Sequence, residues 1–338
     1  MMGGEQMYLA GDIGATKTVL ALLTATAGAR QPVAIHTYLS ADFPSLEAIL
    51  GVFLSGRATL VQRATFGVAG PVINRRVQIT NRLWGVDARS VQEHLGGAPV
   101  HLLNDLEALG HGVPHLIASD LATLNVGNTR AQAAIGIVAP GTGMGEGFLV
   151  WDGSAYRPCV SEGGHCDFAP NNEVELALLG YLMAKFGHVS IERVCSGLGL
   201  PNIYAFLRDT GREHAPEWLE AELALAVDAT PIIVAAAQDA QRACAIATRT
   251  LDIFVDVLAA EAGSFAVRLL ALGGVFLGGG IPPRILARLQ QPRFMATFLA
   301  KGRLRPVLRE VPVHVILNIG AGLLGASQHV LSDTALYT

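Results

Sequence analysis

A chain of 338 residues is long enough for about two domains of roughly 150 residues each, and with 51% hydrophobic and 15% charged residues it can fill a large core and is not a disordered chain. The net charge of −4, with Lys and Arg scattered, lacks the concentrated basic stripe of a nucleic-acid binder. Mean hydropathy is high at +0.41, yet no run of about 18 uncharged apolar residues is present, and the best candidate, residues 269–281, is short and glycine-rich, which argues against a membrane span.

Residues 1–7 contain Glu5 and no Lys or Arg, unlike a secretory leader, so a cytoplasmic location is expected. Residues 8–13 and 19–23 are apolar runs joined by a Gly- and Thr-containing turn, the pattern of a hairpin. A third strand is expected over 33–39. Residues 45–54 place Leu46, Ile49, Leu50 and Phe53 at helical spacing. A strand over 64–68, a helix over 86–95 and a strand over 100–103, ending at Asn104-Asp105, complete this first series.

A similar order restarts near residue 133. Strands are expected over 134–138, 147–150 and 156–160, separated by Gly-rich turns, then a helix over 173–186 with Asn171 or Asn172 as its N-cap. Residues 230–270 read as mostly helical, with Ile246, Ile253 and Val257 on one face. A short strand over 275–277 runs into Gly278-Gly279-Gly280, a last strand covers 313–317, and a helix covers 321–331. Two α/β lobes of related order, separated by a cleft, are the economical architecture.

Five segments carry chemistry. Gly11-Asp12-Ile13-Gly14-Ala15-Thr16-Lys17-Thr18 follows a strand and misses the P-loop pattern by one residue, Thr16 standing where its second glycine belongs. A P-loop opens a helix, whereas Val19-Leu20-Ala21-Leu22-Leu23 reads as a strand. A strand–turn–strand with Asp12 at its start is a different phosphate device, in which the turn faces the phosphates and Asp12 orients magnesium or its water; an ordinary hairpin turn is the alternative. Pro140-Gly141-Thr142-Gly143-Met144-Gly145-Glu146-Gly147 also lies between strands, and its glycines permit close backbone approach to a ligand. Gly278-Gly279-Gly280-Ile281-Pro282-Pro283 suits an adenosine ring lying against backbone. Leu103-Asn104-Asp105 ends a strand, where ligands of α/β sheets usually sit. Asp105 there is a candidate base for a hydroxyl attacking phosphorus, or else the N-cap of the helix that follows. Ser161-Glu162-Gly163-Gly164-His165-Cys166-Asp167 offers polar groups from a tight turn to a polyhydroxyl ligand, with Glu192 a further acid, or else the partner of Arg193 in a surface ion pair. Cys159, His165 and Cys166 are neighbours, but a structural zinc needs four ligands in two tight pairs. The four cysteines form no CxxC pair.

Together these segments resemble the bacterial glucokinase family of the hexokinase–actin–chaperone superfamily, from Gly11 to Gly320-Ala321-Gly322-Leu323-Leu324-Gly325. The most specific pieces are Leu103-Asn104-Asp105, Glu162-Gly163-Gly164-His165-x-Asp167-Phe168-Ala169-Pro170 and Glu192-Arg193-Val194-x-Ser196-Gly197. Ala69-Gly70-Pro71-Val72 and Thr80-Asn81-x-x-Trp84 are lesser matches. The resemblance implies a two-lobed, ribonuclease-H-like α/β fold with a central cleft, one lobe over 7–115 completed by 318–338 and the other over 116–317. It implies Mg-ATP and glucose as ligands, glucose 6-phosphate and ADP as products, entry to glycolysis, and a homodimer.

In the same resemblance Asp105 is the general base, and Asn104, Glu162, His165 and Glu192 bind sugar hydroxyls. Gly11, Asp12, Ile13, Gly14, Ala15 and Thr16, with Thr142 and Gly143, hold the phosphates, Asp12 reaching Mg2+ through water. Gly279 and Gly280 lie near adenosine. The family's usual second glycine is Ala15 here; if φ > 0 is needed there, alanine costs roughly 1 kcal/mol. Lys17 and Val19 stand where relatives carry Asn and Arg, which leaves ATP, ADP and polyphosphate open as donors. A kinase for another hexose or amino sugar, or a silent sugar sensor, is the alternative reading.

Overall fold

The computed structural model describes residues 6–57, 60–78 and 84–332. Thr80 and Asn81 of the motif above lie outside the described residues. The chain divides into two compact units, one of Met1–Ile117, Ser154–Cys159 and Asn318–Thr338, the other of Ala118–Gly153 and Val160–Leu317. Ser154–Cys159, read from sequence with the larger lobe, belongs to the first unit.

The first unit contains β1 (Met7–Ile13), β2 (Lys17–Thr24), β3 (Ala34–Leu39), α1 (Leu46–Leu54), β4 (Val61–Val68), β5 (Arg76–Gln78), β6 (Gly85–Asp87), α2 (Ala88–His94), β7 (Val100–Asn104), α3 (Asp105–Gly112) and a C-terminal helix (Ala321–Leu331). Its sheet is ordered β3-β2-β1-β4-β7. β1 pairs antiparallel with β2 and parallel with β4, and β4 pairs parallel with β7. The helix expected over 86–95 begins late: Val86 pairs with Val77 in a small hairpin, and the Asp87 carboxylate then caps α2 by accepting from Arg89 N–H at 2.9 Å.

Strand alternation divides the two faces of β1. Leu9 and Ile13 point into the core shared with Leu46, Ile49 and Leu50 of α1, whereas Tyr8 and Ala10 point to Leu323, Ala326 and Val330 of the C-terminal helix. That helix meets α3 at backbone distance. A Cβ at Gly325 would overlap the Ala108 carbonyl oxygen, and one at Gly112 would overlap that of Ala321. His329 accompanies this crossing, its ring 4.7 Å from His101 and 4.9 Å from His111, with Nδ1 3.1 Å from the Thr65 hydroxyl. Burial first, and neighbouring imidazoles second, push His329 down to about 3 and His111 down to about 4.

The second unit contains β8 (Leu121–Asn125), β9 (Ile135–Pro140), β10 (Met144–Trp151), β11 (Tyr156–Ser161, of which Val160 and Ser161 lie in this unit), α4 (Glu173–Phe186), α5 (Gly199–Asp209), α6 (Glu217–Ala224), α7 (Thr230–Gln238), α8 (Ala245–Leu269), β12 (Gly274–Leu277), α9 (Leu286–Leu289), α10 (Pro292–Phe298), α11 (Arg305–Arg309) and β13 (Val313–Ile316). The sheet order is β11-β10-β9-β12-β13-β8, so its first five strands repeat the connectivity of the first unit. β8 adds an antiparallel edge on β13 that periodicity did not reveal. α8 is buried on nearly every side, with Phe254, Val257 and Leu258 in a core that also takes Phe206, Phe294 and Phe298. Among the described residues no helix is long and apolar enough to cross a membrane.

Two outcomes follow from the crossing of α3 by the C-terminal helix. Gly325→Ala forces the helices apart and should cost about 1–3 kcal/mol in urea unfolding; an unchanged midpoint would contradict the packing. The folded state also holds His111 and His329 neutral well below the ordinary imidazole value of 6.5, so stability is full above pH 6.5 and is lost as pH falls toward about 4. Melting temperature should therefore drop between pH 7 and pH 5, and His329→Gln should flatten that slope.

Candidate active site

In the first unit the C-terminal ends of three parallel strands are aligned, with Ile13 opposite Val68 and Val68 opposite Asn104. Gly14 N–H donates to the Lys17 carbonyl at 2.9 Å and closes the turn after β1. Ala15 does not adopt positive φ, so the strain expected from replacing the family's glycine does not arise. Ser40, which the sequence did not single out, braces this turn. Its hydroxyl donates to the Gly14 carbonyl at 2.9 Å and lies 3.0 Å from the buried Thr18 hydroxyl, while Ser40 N–H donates to the Thr16 carbonyl at 3.0 Å.

Asp12 shares the face of Tyr8 and Ala10, which directs it to the start of the C-terminal helix: a Cβ at Gly322 would lie 3.5 Å from Asp12 Oδ2. Burial, and then the Asp105 charge, push the Asp12 carboxyl up to about 6. Asp105 opens α3 but does not cap it. Asn104 is the cap: its Oδ1 accepts from Leu106 N–H at 2.9 Å, and Glu107 Oε2 accepts from Asn104 N–H at 3.4 Å in a capping box. The Asn104-x-x-Glu107 spacing was a readable signal for this. Asn104 Nδ2 also donates to the Gly70 carbonyl at 3.1 Å, and Ala69 N–H donates to the Ile13 carbonyl at 3.1 Å, so the Ala69-Gly70 loop links the β1 turn to Asn104. Asn104 keeps one amide proton for a ligand, its Oδ1 being taken up by the helix N-terminus. Asp105 stands exposed at the strand edge, its Oδ1 accepting from the same Leu106 N–H at 2.9 Å.

The second unit carries its own constellation. The turn between β9 and β10 is closed by Gly141 N–H on the Gly143 carbonyl at 2.8 Å, with Thr142 exposed at its tip. Glu192 does not pair with Arg193. Its Oε2 accepts from Met144 N–H at 2.9 Å and occupies the space a Cβ at Gly143 would need, while Arg193 stacks on Phe186 at 4.2 Å. Ser196 Oγ donates to the Glu192 carbonyl at 2.7 Å. Gly279, with φ of +78°, packs its backbone on Pro140, and Gly278 N–H donates to the Val138 carbonyl at 2.9 Å. The turns expected to meet phosphate and adenosine are thus neighbours at the ends of the parallel strands β9 and β12. Glu162 and His165 stand on a single 3-10 turn, Gly163–His165, with side chains 85% and 63% exposed and 3.9 Å apart. Asp167 is engaged by His188 at 2.8 Å. One polar residue of the Pro140–Gly147 segment was given no role by the sequence, the buried Glu146 of β10.

Comparison with known proteins bears on these motifs. A family model described as Glucokinase matches residues 9–333. The chain is 40% identical over 337 residues to a glucokinase of Nostoc punctiforme, covering 95% of this chain and 98% of that one. It is 34% identical over 327 residues to a glucokinase of Klebsiella pneumoniae, covering 95% and 96%. A solved glucokinase from an Antarctic psychrotroph has a TM-score of 0.82 at 29% identity, covering 97% of this chain and 99% of that one. The glucokinase of Balamuthia mandrillaris, solved with glucose, has a TM-score of 0.79 at 20% identity over 98% and 94%, a likeness of fold.

The position of Asp12 is held at a cost in stability. Its folded-state pKa of about 6 lies above the ordinary 3.8, so the stability it contributes when protonated is lost as pH rises through about 6. Asp12→Asn, a neutral near-isostere, should therefore be more stable than the parent at pH 8 by on the order of 2–3 kcal/mol, with no difference near pH 3.5. Equal unfolding midpoints at pH 8 would contradict this.

Proposed function

The chain belongs to the glucokinase family and is an ATP-dependent hexose kinase, and on that footing we propose that Asp105 is the general base that delivers the 6-hydroxyl of glucose to the γ-phosphate of ATP. The observation that carries this role is the position of Asp105, exposed at the end of β7 as the first residue of α3 and close enough to Asp12 for its charge to raise that carboxyl. As the hydroxyl oxygen bonds to phosphorus, its proton passes to Asp105, and the bond from phosphorus to the bridging oxygen breaks to release ADP. Phosphoryl transfer asks the protein mainly for positioning and charge compensation.

Glu162, His165 and Glu192 pair with the remaining hydroxyls, with the Asn104 amide as a fourth contact. Glu192 is suited to a double duty, since one carboxylate oxygen already grips the Met144 N–H beside the Gly141–Gly143 turn. A sugar that lacks or inverts one hydroxyl leaves a buried partner unpaired, which costs roughly 1–3 kcal/mol. The turns at Gly14–Thr16 and Thr142–Gly143 hold phosphate, and Gly279 and Gly280 lie against adenosine. Gly280 suits this, because nothing stands within 4 Å of the space a Cβ would take there.

Magnesium fits the first unit. Asp12 and Asp105 are oxygen donors of the kind a hard cation prefers, and no Lys or Arg is among the groups that shift Asp12. Asp12 would hold it, and the bound ion would offset the negative charge of the phosphates. A cytoplasmic site of action accords with four cysteines that form no disulfide.

The test is Asp105→Asn assayed with Mg-ATP against glucose, mannose, galactose and glucosamine. The variant should keep its fold by circular dichroism and lose roughly 10²- to 10⁴-fold in kcat. A well-folded variant with parental turnover would overturn the role of Asp105. A parent enzyme with higher kcat/KM for another of these sugars would overturn the choice of glucose.

A further inference from the structure

Glu146 has no part in the machinery proposed above. It is 1% exposed, neither carboxyl oxygen meets a well-aligned donor among the described residues, and its polar neighbour is another acid, the Glu261 carboxyl, with which only the protonated form can share a hydrogen bond. A carboxylate in such a place would lose its hydration without compensation, so the neutral acid is the form that tolerates the site.

Its surroundings reinforce this. From α8, Glu261 stands near, itself paired with Arg268 at 2.8 Å, and the Arg268 charge only partly opposes it. Lys301, after α10, faces Glu261. From the segment after Glu192 comes the buried Cys195 thiol, which burial and the two glutamates push up. Glu192 itself holds the N–H of Met144, two residues away. On the solvent side are Glu162 and His165. Burial first and Glu261 second push Glu146 up to about 8.

The carboxyl lies directly beneath the turn that carries Glu162 and His165. A Cβ at Gly163 would overlap Glu146 Oε2, and one at Gly164 would overlap the Met144 carbonyl oxygen. Ser161 Oγ ties the layers together, donating to the Glu146 carbonyl at 2.9 Å and accepting from Gly163 N–H at 3.2 Å. Neither glycine has positive φ. Both are glycine because β10 fills the space where a side chain would begin.

We propose that Glu146 is a positioning residue for sugar recognition: its neutral carboxyl is the seat of the Gly163–His165 turn and sets where Glu162 and His165 stand. This rests on the reading that those two residues bind sugar hydroxyls. Once ionised, the carboxylate requires water or a donor, and the exposed turn is the side on which the site can open. Sugar affinity then weakens as pH rises, while the phosphate turn and Asp105 are untouched.

The experiment measures KM for glucose and kcat from pH 6.5 to 9.5 for the parent, Glu146→Gln and Glu146→Ala, with Glu162→Gln as a check on the sugar reading. Parental KM should rise roughly five- to tenfold as pH passes about 8, with kcat nearly constant. Glu146→Gln should keep the low-pH KM throughout, and Glu146→Ala should show a raised KM at every pH. Because the folded-state pKa exceeds the ordinary 4.5, the parent should also lose thermal stability relative to Glu146→Gln as pH rises from 4.5 to 8. Should the alanine variant fail to fold, the parent–glutamine comparison decides alone. A glutamine variant with the parental rise in KM, or a folded alanine variant with parental KM, overturns the proposal while Glu162→Gln still raises KM. If Glu162→Gln leaves KM unchanged, the sugar reading fails and this inference fails with it.

Discussion

The first unit depends on a helix crossing made at two glycines. Gly112 and Gly325 let α3 and the C-terminal helix touch backbone to backbone, and that contact places Asp105, at the head of α3, near Asp12, at the head of the other helix. Strand parity alone directs Asp12 toward the C-terminal helix. Two carboxylates held close in partial burial repel each other, which is unfavourable for an unliganded protein and useful for one that must receive a cation and a phosphate chain. The neutral imidazoles of His101, His111 and His329 complete the same packing without adding charge to it.

The two units apply one topology to two tasks. Both begin with a strand–turn–strand and both continue with parallel strands whose C-terminal ends are aligned, the edge where ligands of α/β sheets usually sit. In the first unit the end of β7 carries Asn104 and Asp105. In the second the end of β12 carries the glycines beside Pro140, and the long helical segment α4 to α8 supplies much of the buried core. Glu192 and Glu146 mark the difference most clearly. Each is an acid whose space a glycine vacates, one holding the Gly141–Gly143 turn at Met144 and the other lying under the Gly163 turn.

Much of this was legible in the sequence. Long periodic segments such as α1, α4 and the C-terminal helix were readable because a core-facing stripe repeats in them. The β1–β2 turn could be separated from a P-loop because Val19 to Leu23 continue as a strand. Short pieces were harder. β5, β6 and β8 have three to five residues and too few alternations to register, and Ser154–Cys159 joins the first unit through tertiary packing that no local pattern encodes. Glu146 was hidden inside a glycine-rich stretch where an acid reads as a loop residue, and only its burial distinguishes it. At Ala15 the condition left open by the sequence, whether the position needs positive φ, resolves to no.

The measurement that bears most directly on the account is ADP formation from Mg-ATP with and without glucose, followed together with glucose 6-phosphate. A base on the sugar hydroxyl and a site built from hydroxyl-pairing groups predict rapid, stoichiometric formation of both products with glucose and only slow ATP hydrolysis without it. Comparable ADP release in the absence of sugar, or no glucose 6-phosphate in its presence, would contradict the account.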